Sequence, residues 1–270
     1  MRVIRTLCLA WLIIFLLSSA SFADSQYDGW WFAPEYSGSG LSLAINGDTI
    51  FAAIYTYNPE GKPVWFTMSA QKAQDSPLIF SGDLIYWQNG TQDFMPNNPQ
   101  PHKAGTMSLE LITPDSARLT YQITDFGTDT MTLDVVKFMP TIAPGDPDLR
   151  LKGWWYDPNS EGMGVFLEAQ GGTLFGAWYH YMMDEQSNYA APSWTSFSGA
   201  FSSGATTFVG PLFHWDGGSI LGMQPYVEPK PFDTGYSVTL NINDDGTIDA
   251  GVGPKNEAPI FWIKLTRFTF

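Results

Sequence analysis

The pattern of apolar and polar positions predicts β-strands along nearly the whole chain after residue 28. Runs of five to eleven β-branched, aromatic and aliphatic residues are separated by turn-forming Gly, Asn, Asp and Pro, as in NGD, NPEGK, TPDS and NDDG. Helical periodicity is scarce. The first half contains eight such runs: GWWFA, GLSLAIN, TIFAAIYTY, PVWFTMSA, PLIFSGDLIYW, TMSLELIT, ARLTYQIT and TMTLDVVKF. Because tight turns join strands that are neighbours in sequence, we expect an antiparallel meander.

The chain contains two copies of one unit. The phrase GWWFAPEYSGSG at residue 29 returns as GWWYDPNSEGMG at residue 153, and the later runs align as well. We therefore predict a first unit over 24–139, a proline-rich linker over 140–152 and a second unit over 153–270. Eight meandering strands can close on themselves and leave no exposed edge, so the fold class is all-β with two tandem up-and-down barrels. The alternative is a pair of β-sandwiches.

The repeated phrase also carries a resemblance. Gly29-Trp30-Trp31 and Gly153-Trp154-Trp155, each at the start of an eight-stranded meander, resemble the Gly-x-Trp motif of the calycins, the lipocalins and avidins. This resemblance implies that Trp30 and Trp154 close the barrels. The longer phrase, with its following x-LF-x-A-x-Y-x-Y, resembles a repeat of exported proteobacterial proteins and implies an exported location.

Residues 1–23 have the pattern of a secretory signal peptide. Arg2 and Arg5 precede the short apolar run LCLAWLIIFLL, and Ser21 and Ala23 fit a cleavage site before Asp24. An uncleaved anchor is the alternative, but the run is shorter than the roughly 20 residues that a span needs. The predicted location is periplasmic or extracellular. Cys8, the one cysteine, lies in this segment, so the mature chain has no disulfide and no thiol chemistry.

Charge and motif content exclude several classes of function. A net charge of −14 disfavours binding to nucleic acid or to anionic membranes. No nucleophile-elbow, P-loop, dinucleotide-binding or zinc-protease motif is present. The three histidines have no counterpart in the sister copy, and the acidic turns DPNSEG and NDDGTID lack the spacing of an EF-hand loop. We therefore predict no metal, no cofactor and no catalytic residue.

Alternation within the strands suggests which faces are functional. In PVWFTMSA, one face carries Trp65, Thr67 and Ser69, and its counterpart carries Trp194, Ser196 and Ser198. Aromatic walls with a few hydroxyls are typical of a barrel that holds a ligand, so we predict that this face lines the interior. The alternative is that the hydroxyls bond to the backbone or face solvent. TIFAAIYTY is apolar on both faces, which suggests that its outer side packs against the sister unit.

The long irregular segments 88–103 and 216–234 occupy equivalent places in the two units. Their apolar residues suggest lids over the barrel mouths; packing on the barrel wall is the alternative. The predicted function is an exported, non-enzymatic binding module for a small molecule or sugar. Alternatives are an envelope interaction domain without a pocket and a polysaccharide hydrolase. The predicted ligand-binding residues are Tyr55, Tyr57, Trp65, Thr67, Trp87, Phe94, Tyr179, Tyr181, Trp194, Ser196, Trp215 and Tyr226.

Overall fold

The fold consists of two closed antiparallel barrels of eight strands each. The structure is a computed structural model that describes residues 25–74, 78–90, 98–160, 162–183 and 190–270. The predicted fold class is confirmed. The predicted signal peptide lies outside the described residues. Among the described residues, no helix combines the length and the apolar character needed to cross a bilayer.

The first barrel follows chain order, and its first and last strands pair to close it. Its tight turns agree with the Gly, Asn and Asp chemistry of the sequence. A single 3₁₀ turn at Thr124–Phe126 precedes the last strand. The strands are β1 (Gly29–Phe32), β2 (Gly40–Asn46), β3 (Thr49–Tyr57), β4 (Pro63–Gln71), β5 (Ile79–Gln88), β6 (Gln100–Thr113), β7 (Ser116–Ile123) and β8 (Met131–Lys137).

The second barrel repeats this order and closes through the pairing of its first and last strands. A short helix, α1 (Met139–Ile142), and an irregular segment that packs on the second barrel join the two. The strands are β9 (Gly153–Tyr156), β10 (Gly164–Gln170), β11 (Thr173–Met183), β12 (Ala190–Ala200), β13 (Thr207–Asp216), β14 (Lys230–Ile242), β15 (Ile248–Pro254) and β16 (Phe261–Arg267).

The barrel interiors are packed with apolar side chains. In the first barrel Val64, Phe66 and Met68 of β4 point inward and join the buried core. Successive strand residues point to opposite faces, so Trp65 and Thr67 lie outside the barrel. The prediction that the Trp65 face lines the interior is therefore wrong. Both faces of β4 are buried from Pro63 to Met68, because the sister barrel covers the outer face there.

The tryptophan doublet that opens each barrel divides between the two faces. Trp31 belongs to the interior core of the first barrel and Trp155 to that of the second. Trp30 and Trp154 point the other way, into the contact between the barrels. The barrel-closing role expected for Trp30 and Trp154 is thus wrong, and the interior position belongs to the second tryptophan of each doublet.

The long loop of the second barrel closes one end of the first. Ile220 and Leu221, which follow β13, are buried in the interior core of the first barrel. The Leu221 N–H donates to Thr56 Oγ1 at 2.8 Å, and the Tyr121 hydroxyl donates to the Leu221 carbonyl. The loop is therefore a lid, as one of the two interpretations of this segment predicts. It covers the end of the first barrel, although it belongs to the second.

Candidate functional site

The outer faces of β3, β4, β11 and β12, together with side chains from β1, β9, β10 and α1, form the barrel junction, a third apolar core between the barrels. Trp65 Nε1 donates to the His180 carbonyl at 3.2 Å, and Trp194 Nε1 donates to the Thr56 carbonyl at 3.2 Å. Because these are equivalent residues in the two copies, the junction has the reciprocal contacts of an approximate twofold axis. The outward apolar face of β3 is covered here, as its two-sided pattern predicts.

One side of this junction contains an aromatic cavity of about 300 Å³, here called the junction cavity. It is formed by side chains from both barrels, together with the turn between β1 and β2. The part of its lining that the structure describes is almost entirely apolar and includes no charged side chain. The described residues that line it are Trp30, Trp31, Phe32, Ser37, Gly38, Ser39, Gly40, Tyr55, Phe138, Phe175, Ala177, Trp194, Ser196 and Trp215.

The walls of the junction cavity are held by ring contacts and one hydrogen bond. Trp30 meets the edge of Phe175 at 5.0 Å and tilts against Tyr55 at 5.3 Å between ring centroids. Trp194 and Trp215 are near-parallel at 6.5 Å. Trp215 Nε1 donates to Ser196 Oγ at 2.7 Å, which fixes the indole against its neighbouring strand. Such edge and offset contacts fix the ring planes, so the cavity is preformed.

Hydrogen bonds from two tyrosines hold the turn that forms the rim of the junction cavity. The Tyr57 hydroxyl donates to the Gly38 carbonyl at 2.9 Å, and the Tyr226 hydroxyl donates to the Ser37 carbonyl at 2.9 Å. Gly38 has a φ of +73°, and a Cβ there would lie 2.2 Å from the Pro229 ring, so only glycine fits this turn. Two tyrosines from different barrels thus support the same turn.

The described side chains around the junction cavity are electrically neutral. Burial raises the pKa of Tyr55 far above its usual value, so this phenol stays protonated across the physiological range. The indole Nε1 of Trp30 is buried and has no hydrogen-bond partner among the described residues. A buried N–H without a partner costs about 1–3 kcal/mol, and this N–H has almost no surface open to the cavity.

On the other side of the approximate twofold axis, side chains fill the space that corresponds to the junction cavity. Met163, which corresponds to Ser39, is buried in the junction core. Phe166 stands where the first copy has Ser42, whose hydroxyl donates to the Tyr55 hydroxyl at 3.4 Å. Tyr179, the counterpart of Tyr55, instead lies over Gly164, where a Cβ would be 2.2 Å from its hydroxyl. Larger side chains therefore occupy the second copy of the site.

The structure divides the twelve predicted site residues into groups. Tyr55, Trp194, Ser196 and Trp215 line the junction cavity. Two residues, Tyr57 and Tyr226, support its rim. Phe94 lies outside the described residues. The remaining five belong to the filled half of the junction: Trp65, Thr67, Trp87, Tyr179 and Tyr181.

The hydroxyls of the predicted site have a role that neither interpretation anticipated. Thr67 Oγ1 accepts the indole N–H of Trp87 at 2.8 Å, as Ser196 does for Trp215. Sequence reasoning missed Trp30, Phe138 and Phe175 as lining residues. Period-two alternation across the Trp30–Trp31 doublet was the available signal, since it puts only one of the two indoles inside the barrel.

The described part of the chain contains no group of three or more metal-binding side chains. The carbonyl of His180 contacts the junction, whereas its side chain lies on the interior face of β11 with Trp178, and its Nε2 is buried and without a partner among the described residues. Comparison of the chain with protein-family models, with curated proteins and with solved structures finds no match. The function must therefore be argued from the site alone.

Proposed function

We propose that this protein is an exported, non-enzymatic binding protein whose junction cavity holds one small, neutral, ring-bearing molecule. The observation that carries the proposal is the aromatic cavity of about 300 Å³, which has no charged side chain among the described residues that line it. Small-molecule sites usually start near this volume, with apolar walls and a few polar groups that fix orientation. Export rests on the signal-like pattern of residues 1–23.

The lining favours a planar or alicyclic ring over a sugar. A sugar would bring many hydroxyls next to walls that offer almost no partners, and each hydroxyl buried without a hydrogen bond costs free energy. A ring compound with few polar groups matches the mainly apolar lining. The described residues lining the cavity include no carboxylate, so no acid pair for a hydrolase is found there.

The test is a titration of intrinsic tryptophan fluorescence with indole, quinoline and cyclohexanone, with glucose and N-acetylglucosamine as comparators. We expect saturable quenching or shifts with the ring compounds and none with the sugars, because Trp30, Trp194 and Trp215 line the cavity. A flat response to every ring compound would contradict the proposal and favour an interaction domain without a ligand.

A variant taken from the chain itself makes the test specific. Ser39→Met introduces the residue found at the filled equivalent position, Met163, and is expected to weaken ring binding at least tenfold. Ser69→Met, at an exposed position near the end of β4, is the matched control and should bind as the unmodified protein does. Equal binding by both variants would place the ligand elsewhere.

A further inference from the structure

The outer face of the second barrel carries an exposed tryptophan where the first barrel has a threonine. Trp262 of β16 is 47% exposed and pairs with Gly251 of β15. The corresponding pair in the first barrel is Thr132 and Thr120, whose hydroxyl oxygens lie 3.3 Å apart. The second copy therefore differs from the first by an indole on the solvent side of the sheet, with a glycine beside it.

The glycines of β15 give the Trp262 indole a fixed place on the sheet. A Cβ on Gly251 would lie 2.8 Å from Trp262 Cε3 and 2.7 Å from Pro259 Cβ, so a larger residue would displace both rings. A Cβ on Gly253, the next outward residue, would lie 2.6 Å from the Ala258 carbonyl oxygen. Glycine inside a strand often marks the close approach of another group. One side of the indole thus packs on the sheet, and its half exposure leaves the other side open to solvent.

Hydrogen-bonding side chains lie next to the indole on the same face. Lys264 follows Trp262 by two residues, about 7 Å along β16, and pairs with Asp249 of β15. Lys264 Nζ lies 3.1 Å from Asp249 Oδ1, and the two side chains are 57% and 39% exposed. Lys264 also donates to Thr247 Oγ1 at 3.3 Å, and Asp249 Oδ2 accepts the Asn243 amide at 3.1 Å. An ammonium has three donors and a carboxylate about four acceptor sites, so each group keeps capacity for a ligand.

This combination of groups matches the chemistry of a pyranose ring. A pyranose with equatorial hydroxyls has apolar C–H groups on its faces and hydroxyls around its edge. Its face can therefore stack on the open side of Trp262, while neighbouring hydroxyls reach Asp249 and Lys264. Because those two charges neutralise each other and the chain as a whole has a net charge of −14, a neutral saccharide fits better than an acidic one.

We propose that the outer face of β15 and β16, centred on Trp262, binds a neutral β-1,4-linked saccharide chain. The β-1,4 linkage keeps the chain extended and the ring faces accessible. Trp262 and Lys264 are about 7 Å apart along the strand, so linked sugars contact both at once, whereas a single sugar is expected to bind too weakly to be detected. This site goes beyond the junction cavity and does not depend on it.

Calorimetry with cellotetraose tests the proposal, with glucose at the same concentration as the comparator. We expect saturable binding of cellotetraose and no detectable heat from glucose. Ser39→Met, which extends into the junction cavity, should bind cellotetraose as the parent protein does. No binding by the parent at about 5 mM cellotetraose, where a site with a Kd near 1 mM would be mostly occupied, would overturn the proposal. Equal heats from glucose, or loss of binding in Ser39→Met, would also contradict it.

Substitutions at Trp262 locate the site. Trp262→Thr introduces the residue of the first barrel and should weaken cellotetraose binding roughly tenfold or more, whereas Trp262→Phe keeps a smaller ring face and should lose less. Phe232→Ala removes an aromatic side chain that is 66% exposed on β14, and this matched control for non-specific stacking should bind as the parent does. Thermal melts establish that each variant is folded. Unchanged affinity in Trp262→Thr, or an equal loss in Phe232→Ala, would overturn the proposal.

Discussion

The two halves of the barrel junction are built from equivalent residues and differ in what they leave open. On one side Ser39 and Ser42 are small, and an aromatic cavity remains between the barrels. On the other side Met163 and Phe166 fill the corresponding space. A duplicated scaffold can therefore keep one copy of a surface as packing and leave the other as a binding site, with side-chain size at two positions making the difference.

The surroundings of Trp30 and Trp154 differ between the two copies as well. The Trp30 backbone N–H donates to Glu168 Oε2 at 3.0 Å, whereas Arg267 Nη1 lies 3.0 Å from the Cβ position of Gly153, the residue before Trp154. Equivalent backbone positions thus meet a carboxylate in one copy and a guanidinium in the other. An open cavity leaves apolar contacts unmade, which costs stability unless a ligand fills it.

The largest expected effect on stability comes from removing either of the two indoles that donate hydrogen bonds across the junction. Trp194→Ala and Trp65→Ala each delete a buried indole and its hydrogen bond across the junction, and each should cost about 3–5 kcal/mol of unfolding free energy. Only Trp194→Ala should also abolish ring binding in calorimetry, because Trp65 lies in the filled half. A loss below about 1 kcal/mol for either would mean that the junction is not a true core.

The loop that crosses between the barrels gives the next largest effect. Leu221→Ala removes a side chain that is 1% exposed in the core of the first barrel and should cost about 2–4 kcal/mol in urea unfolding. Val227→Ala, in the same loop but 51% exposed, is the matched control and should stay within about 0.5 kcal/mol. Similar costs for the two would argue that the loop does not close the barrel.

The sequence was sufficient for the architecture because local signals determine it. Turn chemistry such as NGD and NPEGK joins consecutive strands, and alternation spaces eight strands per copy, so a closed meander follows from neighbouring residues. The repeated phrase gave the number of barrels. None of these inferences needs to know what lies on the far side of a strand.

Alternation separates the two faces of a strand, but it does not show which face lies inside the barrel. Period two separates Val64, Phe66 and Met68 from Trp65 and Thr67, but both sets are apolar enough to be buried. The sister barrel buries the Trp65 set, and that contact is a property of the assembled fold. The contact of Leu221 with the first barrel is likewise a tertiary contact. The composition of the loop predicts a lid, but it does not show which barrel the lid covers.

Exchanging residues between the halves should give a smaller, asymmetric pair of effects. Met163→Ser removes a side chain that is 3% exposed and should cost about 2–3 kcal/mol. Ser39→Met extends into an existing cavity and should change the free energy of unfolding by no more than about 1 kcal/mol. Urea unfolding of both variants measures the difference; equal losses would mean that the two halves do not differ in packing.

The smallest effect on stability is expected from a titrating group that only one of the two copies contains. His180 stands where the first copy has Thr56, and burial lowers the pKa of its imidazole to about 4, with His214 adding to the shift and the Tyr181 carbonyl opposing it. Below pH 6.5 the unfolded chain takes up a proton that the folded chain does not, so stability falls as the pH decreases toward 4. The slope is at most about 1.4 kcal/mol per pH unit. His180→Thr introduces the sister residue and should flatten this decline between pH 6.5 and 4 in urea unfolding. Since His214 remains in both proteins, parallel curves would assign the acid sensitivity to groups other than His180.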